Sequence, residues 1–338
     1  MEAWIHALVE PLPLLVLFLI IAAFLFTLAK GADILVEEAV TLSIRWGIPP
    51  LLIGATIVSL GTTLPEMAVS VVAAMGGRPG LALGNAVGSI ICDTGLILGI
   101  AVLMAPIPLD RTIVNRQGYI QLGCGFLLVL MSLPWSSLGT TFTSGGRLPQ
   151  WGGFLFLGLL VLYIWKSILW ARKGEGPEQQ ETHEDHANTL WVVVKLVVGI
   201  TVVVLSSKVL IPAVEVTALR LNVPEPIIAA TLVAFGTSLP ELITVVTAVR
   251  NGHGGLALGN IIGADILNVL FVAGAAAAVT PAGLQADPRF FQLLFPAMIF
   301  VLLVFRISVW ISGEALRRWT GFLLLGTYIL VTVLSYSH

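Results

Sequence analysis

The chain has 338 residues, of which 57% are hydrophobic and 11% charged, against about 25% charged in an ordinary soluble domain. With a mean hydropathy of +0.99, this excludes a water-soluble globule, because a fold of this size lacks the interior to hide so much apolar surface. Lys plus Arg is 17 and Asp plus Glu is 19, a net charge of −2. That excludes a disordered chain and a basic nucleic-acid binder and leaves a polytopic membrane protein.

A helix crossing the hydrocarbon core needs about 20 mostly apolar residues. Apolar runs between polar or Gly/Pro breaks predict ten such spans. They lie at 12–38, 48–75, 81–105, 114–134 and 151–171, then at 190–218, 223–249, 256–279, 289–311 and 317–336. The N-terminal stretch carries Glu2 and Glu10 and no basic residue before Lys30, so the first run reads as a retained span and not a cleaved signal. Asp33, Glu37 and Glu38, with Lys30, close that run as an ion-entry funnel or an interfacial cap. Only 172–189 reads as a soluble loop, and its THEDH string (182–186) reads as a solvated charge run. Ten spans put Arg78, Arg147, Arg220 and Arg289 on one side. Arg45, Arg111, Arg116, Lys166, Arg172, Lys173, Arg250, Arg306, Arg317 and Arg318 fall on the other. This ten-to-four bias predicts that the second side is cytoplasmic, together with the 172–189 loop, and that both termini are outside.

The chain repeats itself. Adding 175 to any position from 47 to 101 gives its counterpart in 222–276, with 23 of 55 pairs identical, including the whole string LALGN. Each half holds five spans, an odd number, so the second copy enters the membrane upside down. The expected fold is an all-α membrane protein of ten transmembrane helices. Its units are a first inverted repeat at 1–171, a cytoplasmic loop at 172–189 and a second repeat at 190–338. Repeats of this kind build transporters whose site lies at the bilayer midplane between the copies.

Glu66, Asp93, Glu241 and Asp265 fall inside spans, where an ionised carboxylate costs at least ~2.5 kcal/mol. Acids facing one another repel unless a cation sits between them. Their neighbours point to such a cation. Ser59, Thr62, Thr63 and Glu66 share one helix face at i, i+3, i+4 and i+7, and Ala234, Thr237, Ser238 and Glu241 repeat it. Pro65 and Pro240 precede the two glutamates and loosen the helix around Gly61 and Gly236, freeing carbonyl oxygens. The next span of each copy adds Ser89 with Asp93, and Asp265 with Asn268. Carboxylates, hydroxyls, an amide and carbonyls form a hard-cation set suited to Ca²⁺, Na⁺ or Mg²⁺. Asp93 stands opposite Asn268 in the repeat, whereas Asp265 aligns with Ile90, so Asp265 is either an ion ligand or a bond to a neighbouring helix.

GTTLPE (61–66) with GNAVGSIICD (84–93), and GTSLPE (236–241) with GNIIGADILN (259–268), resemble the paired α-repeats of the cation/Ca²⁺ exchanger superfamily, above all its prokaryotic sodium/calcium antiporters. The resemblance covers nearly the whole chain. It implies that Glu66 and Glu241 are shared central ligands, that Thr62, Thr63, Thr237 and Ser238 add hydroxyl or carbonyl oxygens, and that Ser59 and Ala234 add backbone carbonyls. It implies further that Ser89 is a sodium ligand and that Asp93 and Asn268 complete the site. The first and sixth spans would slide across the rest, on loosely packed stretches around Gly31 and Ser206–Ser207. Where the family follows GNxxG with Ser-Asn, this chain has Ser89-Ile90 and Ala264-Asp265, which opens H⁺ in place of Na⁺ as driving ion.

The expected function is a secondary antiporter exchanging Ca²⁺ for Na⁺. H⁺- or K⁺-coupled exchange is the alternative, and a cation channel the more distant one. An intramembrane enzyme fits poorly, because the two carboxylates have duplicated surroundings. Ca²⁺, Na⁺ and the bilayer are the expected partners, in a prokaryotic inner membrane, with one chain sufficient. No resident cofactor is expected, and no Gly-rich phosphate loop suggests a nucleotide. Cys92 and Cys124 read as small buried hydrophobes, and Trp4, Trp151, Trp170, Trp191 and Trp319 as interfacial anchors.

Overall fold

The computed structural model describes residues 2–172, 189–221 and 237–337. Ala234, Gly236, the THEDH string and the first half of the seventh expected span lie outside these residues. After a short amphipathic helix α1 (Glu2–Val9), the chain runs as α2 (Leu14–Trp46), α3 (Pro50–Thr62), α4 (Leu64–Met75), α5 (Pro79–Met104), α6 (Arg111–Ser132) and α7 (Gln150–Arg172). The second half supplies α8 (Thr189–Arg220), α9 (Leu239–Arg250), α10 (Gly254–Ala278), α11 (Phe290–Ile311) and α12 (Arg318–Ser337). Six of the described helices are long and apolar enough to cross a membrane, and α3 with α4 makes a seventh if that bent pair is one span.

α2 corrects one boundary. The acidic residues at 33–38 do not end the first helix, which continues to Trp46 and is closed by Gly47 in the left-handed region at φ 61°. Two of the three acidic residues are paired. Lys30 reaches Asp33 one turn on at 3.3 Å, and Glu38 takes Lys195 of α8 at 2.9 Å. At 1.5 Å per residue, 33 residues span about 50 Å, more than the ~30 Å of hydrocarbon.

The stretches around Gly31 and Ser206 are close-packed with each other and not loose. A Cβ on Gly31 would come within 2.7 Å of Val202, one on Gly199 within 2.8 Å of the Leu35 backbone, and Thr27 shares a 3.0 Å hydrogen bond with Ser206. Small residues let the α2 and α8 backbones approach, as they do in membrane helix pairs generally.

A second close approach organises the centre. Gly54 of α3, with Gly259 and Gly263 of α10, sets backbone against backbone, and a Cβ on Gly259 would lie 2.0 Å from the Leu51 carbonyl. Every residue of α10 from Leu256 to Leu270 is buried. Within these helices, Gly54–Val58, Cys92–Ile97 and Asn268–Ala273 are π-turns, the one-residue bulges that recur at functional sites. The Ala55 carbonyl of the first π-turn receives the Tyr163 hydroxyl at 3.0 Å.

Among the described residues, four very short strands accompany the helices. β1 (Ile107–Pro108) pairs antiparallel with β4 (Ala315–Leu316), and β2 (Gly146–Leu148) with β3 (Leu284–Ala286). Arg111 adds to the first clasp through the carbonyls of Ser312 and Gly313, and Arg147 to the second through the Ala282 carbonyl at 3.1 Å. Both clasps join a loop of the first half to a loop of the second.

Cys92 and Cys124 are buried free thiols. Trp151, Trp191 and Trp319 are exposed at helix ends, whereas Trp170 carries the Arg116 guanidinium over its ring at 4.2 Å.

Candidate ion-binding site

The local sequence explains where the glutamates sit. Pro65 lacks an N–H and crowds the preceding turn, and the rod breaks at Thr63 with a 44° bend between α3 and α4. The new helix begins at Leu64, so Glu66 occupies its first turn. Pro240 likewise stands in the first turn of α9, which begins at Leu239 and holds Glu241 in that turn. A carboxylate in a first helical turn meets unsatisfied N–H groups and the positive end of the helix dipole, which offsets part of the cost of a charge at membrane depth.

Glu66, Glu241, Asp93 and Asp265 are all buried, each 1–2% exposed. Glu66, Glu241 and Asp93 lie within electrostatic reach of one another, as do Asp93 and Asp265. Among the described residues, none of the four pairs with a Lys, Arg or His. Their hydrogen bonds are few. Glu241 Oε1 accepts the Thr63 hydroxyl at 3.4 Å, and Asp93 Oδ2 accepts the Asn268 amide at 3.3 Å. Both Glu66 oxygens, Glu241 Oε2, Asp93 Oδ1, Asp265 Oδ1 and Asn268 Oδ1 are buried without a hydrogen-bond partner among the described residues. Buried polar atoms are ordinarily satisfied, so six such acceptors on five buried side chains, four of them acidic, form a set suited to a cation.

The other expected ligands among the described residues have different neighbours. Thr62 lies beside Glu241, Thr237 beside Glu66 and Ser238 beside Asp93. The Ser238 hydroxyl has no partner of its own among the described residues. Ser89 is buried one turn before Asp93. The Ser59 carbonyl, expected to be a ligand, accepts the Thr63 N–H at 2.9 Å and the Thr62 hydroxyl at 3.3 Å. Asp265 stands apart from the glutamates: its Oδ2 accepts the Thr94 hydroxyl and, at 2.5 Å, the Gln121 amide. Among the described residues, no group of three His, Cys, Asp or Glu side chains is disposed to hold a metal ion by itself. An ion here would take its carboxylates from the facing glutamates and complete its shell with neutral oxygens, the mixed set hard cations use.

Sequence reasoning missed four polar residues. Gln121 and Thr94 fix Asp265. Asn85 donates to the Glu66 carbonyl at 3.3 Å and to Ser70 at 3.0 Å and accepts from Thr237 at 3.3 Å, while Asn260 accepts from Thr62 at 3.5 Å. The two asparagines had a signal, the LALGN string repeated intact. Gln121, a lone amide in an apolar helix, had none.

The sodium/calcium exchanger protein family matches this chain over residues 16–169 and 191–337. Inner membrane protein YrbG of Escherichia coli is 32% identical over 319 residues, covering 92% of this chain and 94% of that protein. The sodium/calcium exchanger MaX1 of Methanosarcina acetivorans is 29% identical, covering 94% and 98%. A solved structure of the sodium-calcium exchanger NCX_Mj superposes with a TM-score of 0.77 at 25% identity, over 95% of this chain and 99% of that one. The match takes in both glutamate-bearing strings and every helix around them, and the chain belongs to the sodium/calcium exchanger family of integral membrane proteins.

Proposed function

We propose that this protein is a secondary antiporter that moves Ca²⁺ against Na⁺ by alternating access around Glu66 and Glu241. The observation that carries the reading is the set of buried carboxylate oxygens with no hydrogen-bond donor and no basic partner among the described residues. One Ca²⁺ between the two glutamates compensates both charges, and Na⁺ ions distributed over the same oxygens compensate them equally. The empty cage is left with unbalanced repulsion, so closure on either side favours the loaded states and exchange stays obligatory. MaX1 is named as a sodium/calcium exchanger, and NCX_Mj has been solved after soaking with Na⁺, with Ca²⁺ and with Sr²⁺. Both facts support the choice of ions.

In this reading Thr62, Thr63, Thr237, Ser238 and Ser89 add neutral oxygens, with the carbonyls of Ser59 and Ala234 and the pair Asp93 and Asn268. Asp265 contributes its remaining oxygen, Oδ1, at the edge of the cage. The ten spans form two inverted repeats, 1–171 and 190–338, with both termini outside, the 172–189 loop cytoplasmic, and one chain sufficient in a prokaryotic inner membrane. The close-packed α2 and α8 slide together across the remaining helices.

The test is Ca²⁺ flux in proteoliposomes with Na⁺, H⁺ and K⁺ gradients imposed one at a time. Uptake driven by outward Na⁺ alone is expected. Uptake driven only by H⁺ or only by K⁺ would replace the coupling ion, and flux without any counter-ion would replace the antiporter by a channel.

A further inference from the structure

A cavity of about 770 Å³ opens beside the β2–β3 clasp, and none of the buried carboxylates lines it. Its volume lies within the roughly 300–1,000 Å³ of small-molecule sites. The walls come from the end of α6 and the loop beyond it, from the start of α7, and from the loop between α10 and α11. Both halves of the molecule therefore share it.

Arg147 is the one ionisable residue in the lining. Its Nη1 donates to the Ala282 carbonyl at 3.1 Å, and a Cβ on Gly283 would stand 3.1 Å from its Cγ, so the side chain is held across that turn. No carboxylate pairs with it among the described residues. Trp135 and Trp151 also line the cavity, each 63% exposed, and the Trp135 indole N–H is anchored on the Leu130 carbonyl at 3.0 Å. Exposed Ser136, Ser137 and Gln285 add hydroxyl and amide groups.

Apolar stripes lead away from the opening. Phe126 and Leu130 are exposed one turn apart on α6, and Trp151, Phe154 and Leu155 share an exposed face of α7. The two helices touch, since a Cβ on Gly152 would lie 3.0 Å from the end of Met131. A fixed cation, two exposed indoles at helix ends and a paired apolar track match an amphipathic anion at a membrane interface. One guanidinium fits one phosphodiester. The hydroxyl and amide groups suit a headgroup that carries hydroxyls, and the lining has no carboxylate for a headgroup ammonium.

We propose that this cavity binds phosphatidylglycerol, with the phosphodiester on Arg147, the headgroup glycerol on Ser136, Ser137 and Gln285, and the acyl chains along α6 and α7. The lipid then bridges the two loops that the clasp joins and stabilises the folded protein.

The test is native mass spectrometry of the purified full chain given equal amounts of phosphatidylglycerol and phosphatidylethanolamine with the same acyl chains. A preference of about fivefold for phosphatidylglycerol is expected, the scale of one basic side chain meeting an anionic headgroup. Arg147→Gln and Ser136→Asp should each bring it to about one, while Arg147→Lys keeps part of it. Phosphatidylglycerol should raise the melting temperature of the parent and not of Arg147→Gln or Ser136→Asp. Arg147→Gln also removes the bond to Ala282, so if it does not fold, Ser136→Asp, an exposed change that leaves the clasp alone, decides. Equal retention of both lipids by the parent, or a preference that survives either substitution, would overturn the proposal. Inorganic phosphate that stabilises the parent as well as the lipid does would overturn it too, in favour of a free-anion site.

Discussion

The crossing of α3, α5 and α10 and the pairing of α2 with α8 are both made of apolar helices joined by small residues, yet they are built for different ends. In the first, α10 is buried from Leu256 to Leu270, backbones touch at Gly54, Gly259 and Gly263, and the strand clasps tie loops of the same set of helices. In the second, α2 and α8 hold each other at Gly31, Gly199 and Thr27–Ser206. They expose Phe18, Leu19, Phe26, Trp191, Val197 and Leu205, and neither contributes a residue to a clasp. Similar hydrophobicity thus serves a rigid frame around polar oxygens in one place and a lipid-facing pair in the other. Small residues at a contact do not by themselves imply slack; they mark where two backbones meet.

The frame is broken most completely at its charge. Glu241→Gln is expected to reduce Na⁺-driven Ca²⁺ uptake in proteoliposomes to background while the protein remains monodisperse, since nothing in the frame depends on that charge. Gly259→Val attacks the packing instead. With the Leu51 carbonyl 2.0 Å from the new Cβ, the cost should sit at or above the ~1–3 kcal/mol typical of overpacking, read as a lower melting temperature and loss of folded protein. Asp265→Asn should raise the half-saturating Na⁺ concentration and leave Ca²⁺ affinity almost unchanged, because Gln121 and Thr94 already hold one of its oxygens away from the glutamates; an equal loss for both ions would place Asp265 in the shared cage. On the outer pair, Lys195→Met leaves Glu38 without its 2.9 Å partner. The lysine is mostly exposed, so the expected destabilisation is about 1 kcal/mol, relieved when Glu38→Gln is added. The smallest effect is expected from Thr27→Cys with Ser206→Cys: oxidation to a cross-link should leave transport at the level of the reduced protein if α2 and α8 move together, and arrest it if they move separately.

Much of the site was legible because polar residues at membrane depth are costly enough to stand out, and the 175-residue repeat doubled the signal for Glu66 and Glu241. The break at Thr63 was legible too, since Pro65 has a fixed mechanical consequence. The end of α2 was misread because Asp33, Glu37 and Glu38 look like a boundary when their partners are unknown; Lys195, 157 residues on from Glu38, is visible only in three dimensions. The clasps escaped for a related reason, as strands of two or three residues carry no periodicity. Gln121 illustrates the remaining gap. Its role depends on which helix faces it, and an isolated amide gives no hint of that.

The π-turns at Cys92–Ile97 and Asn268–Ala273 have a consequence for variation in this protein. Each takes up one residue more than a regular turn, so the helix beyond it keeps the azimuth it would have without that residue. Deleting one residue there, Thr94 for instance, is therefore absorbed as a return to a regular α-turn. The same deletion elsewhere in the rod would swing everything downstream by the roughly 100° that a single residue contributes, turning outward-facing groups inward and interior ones outward.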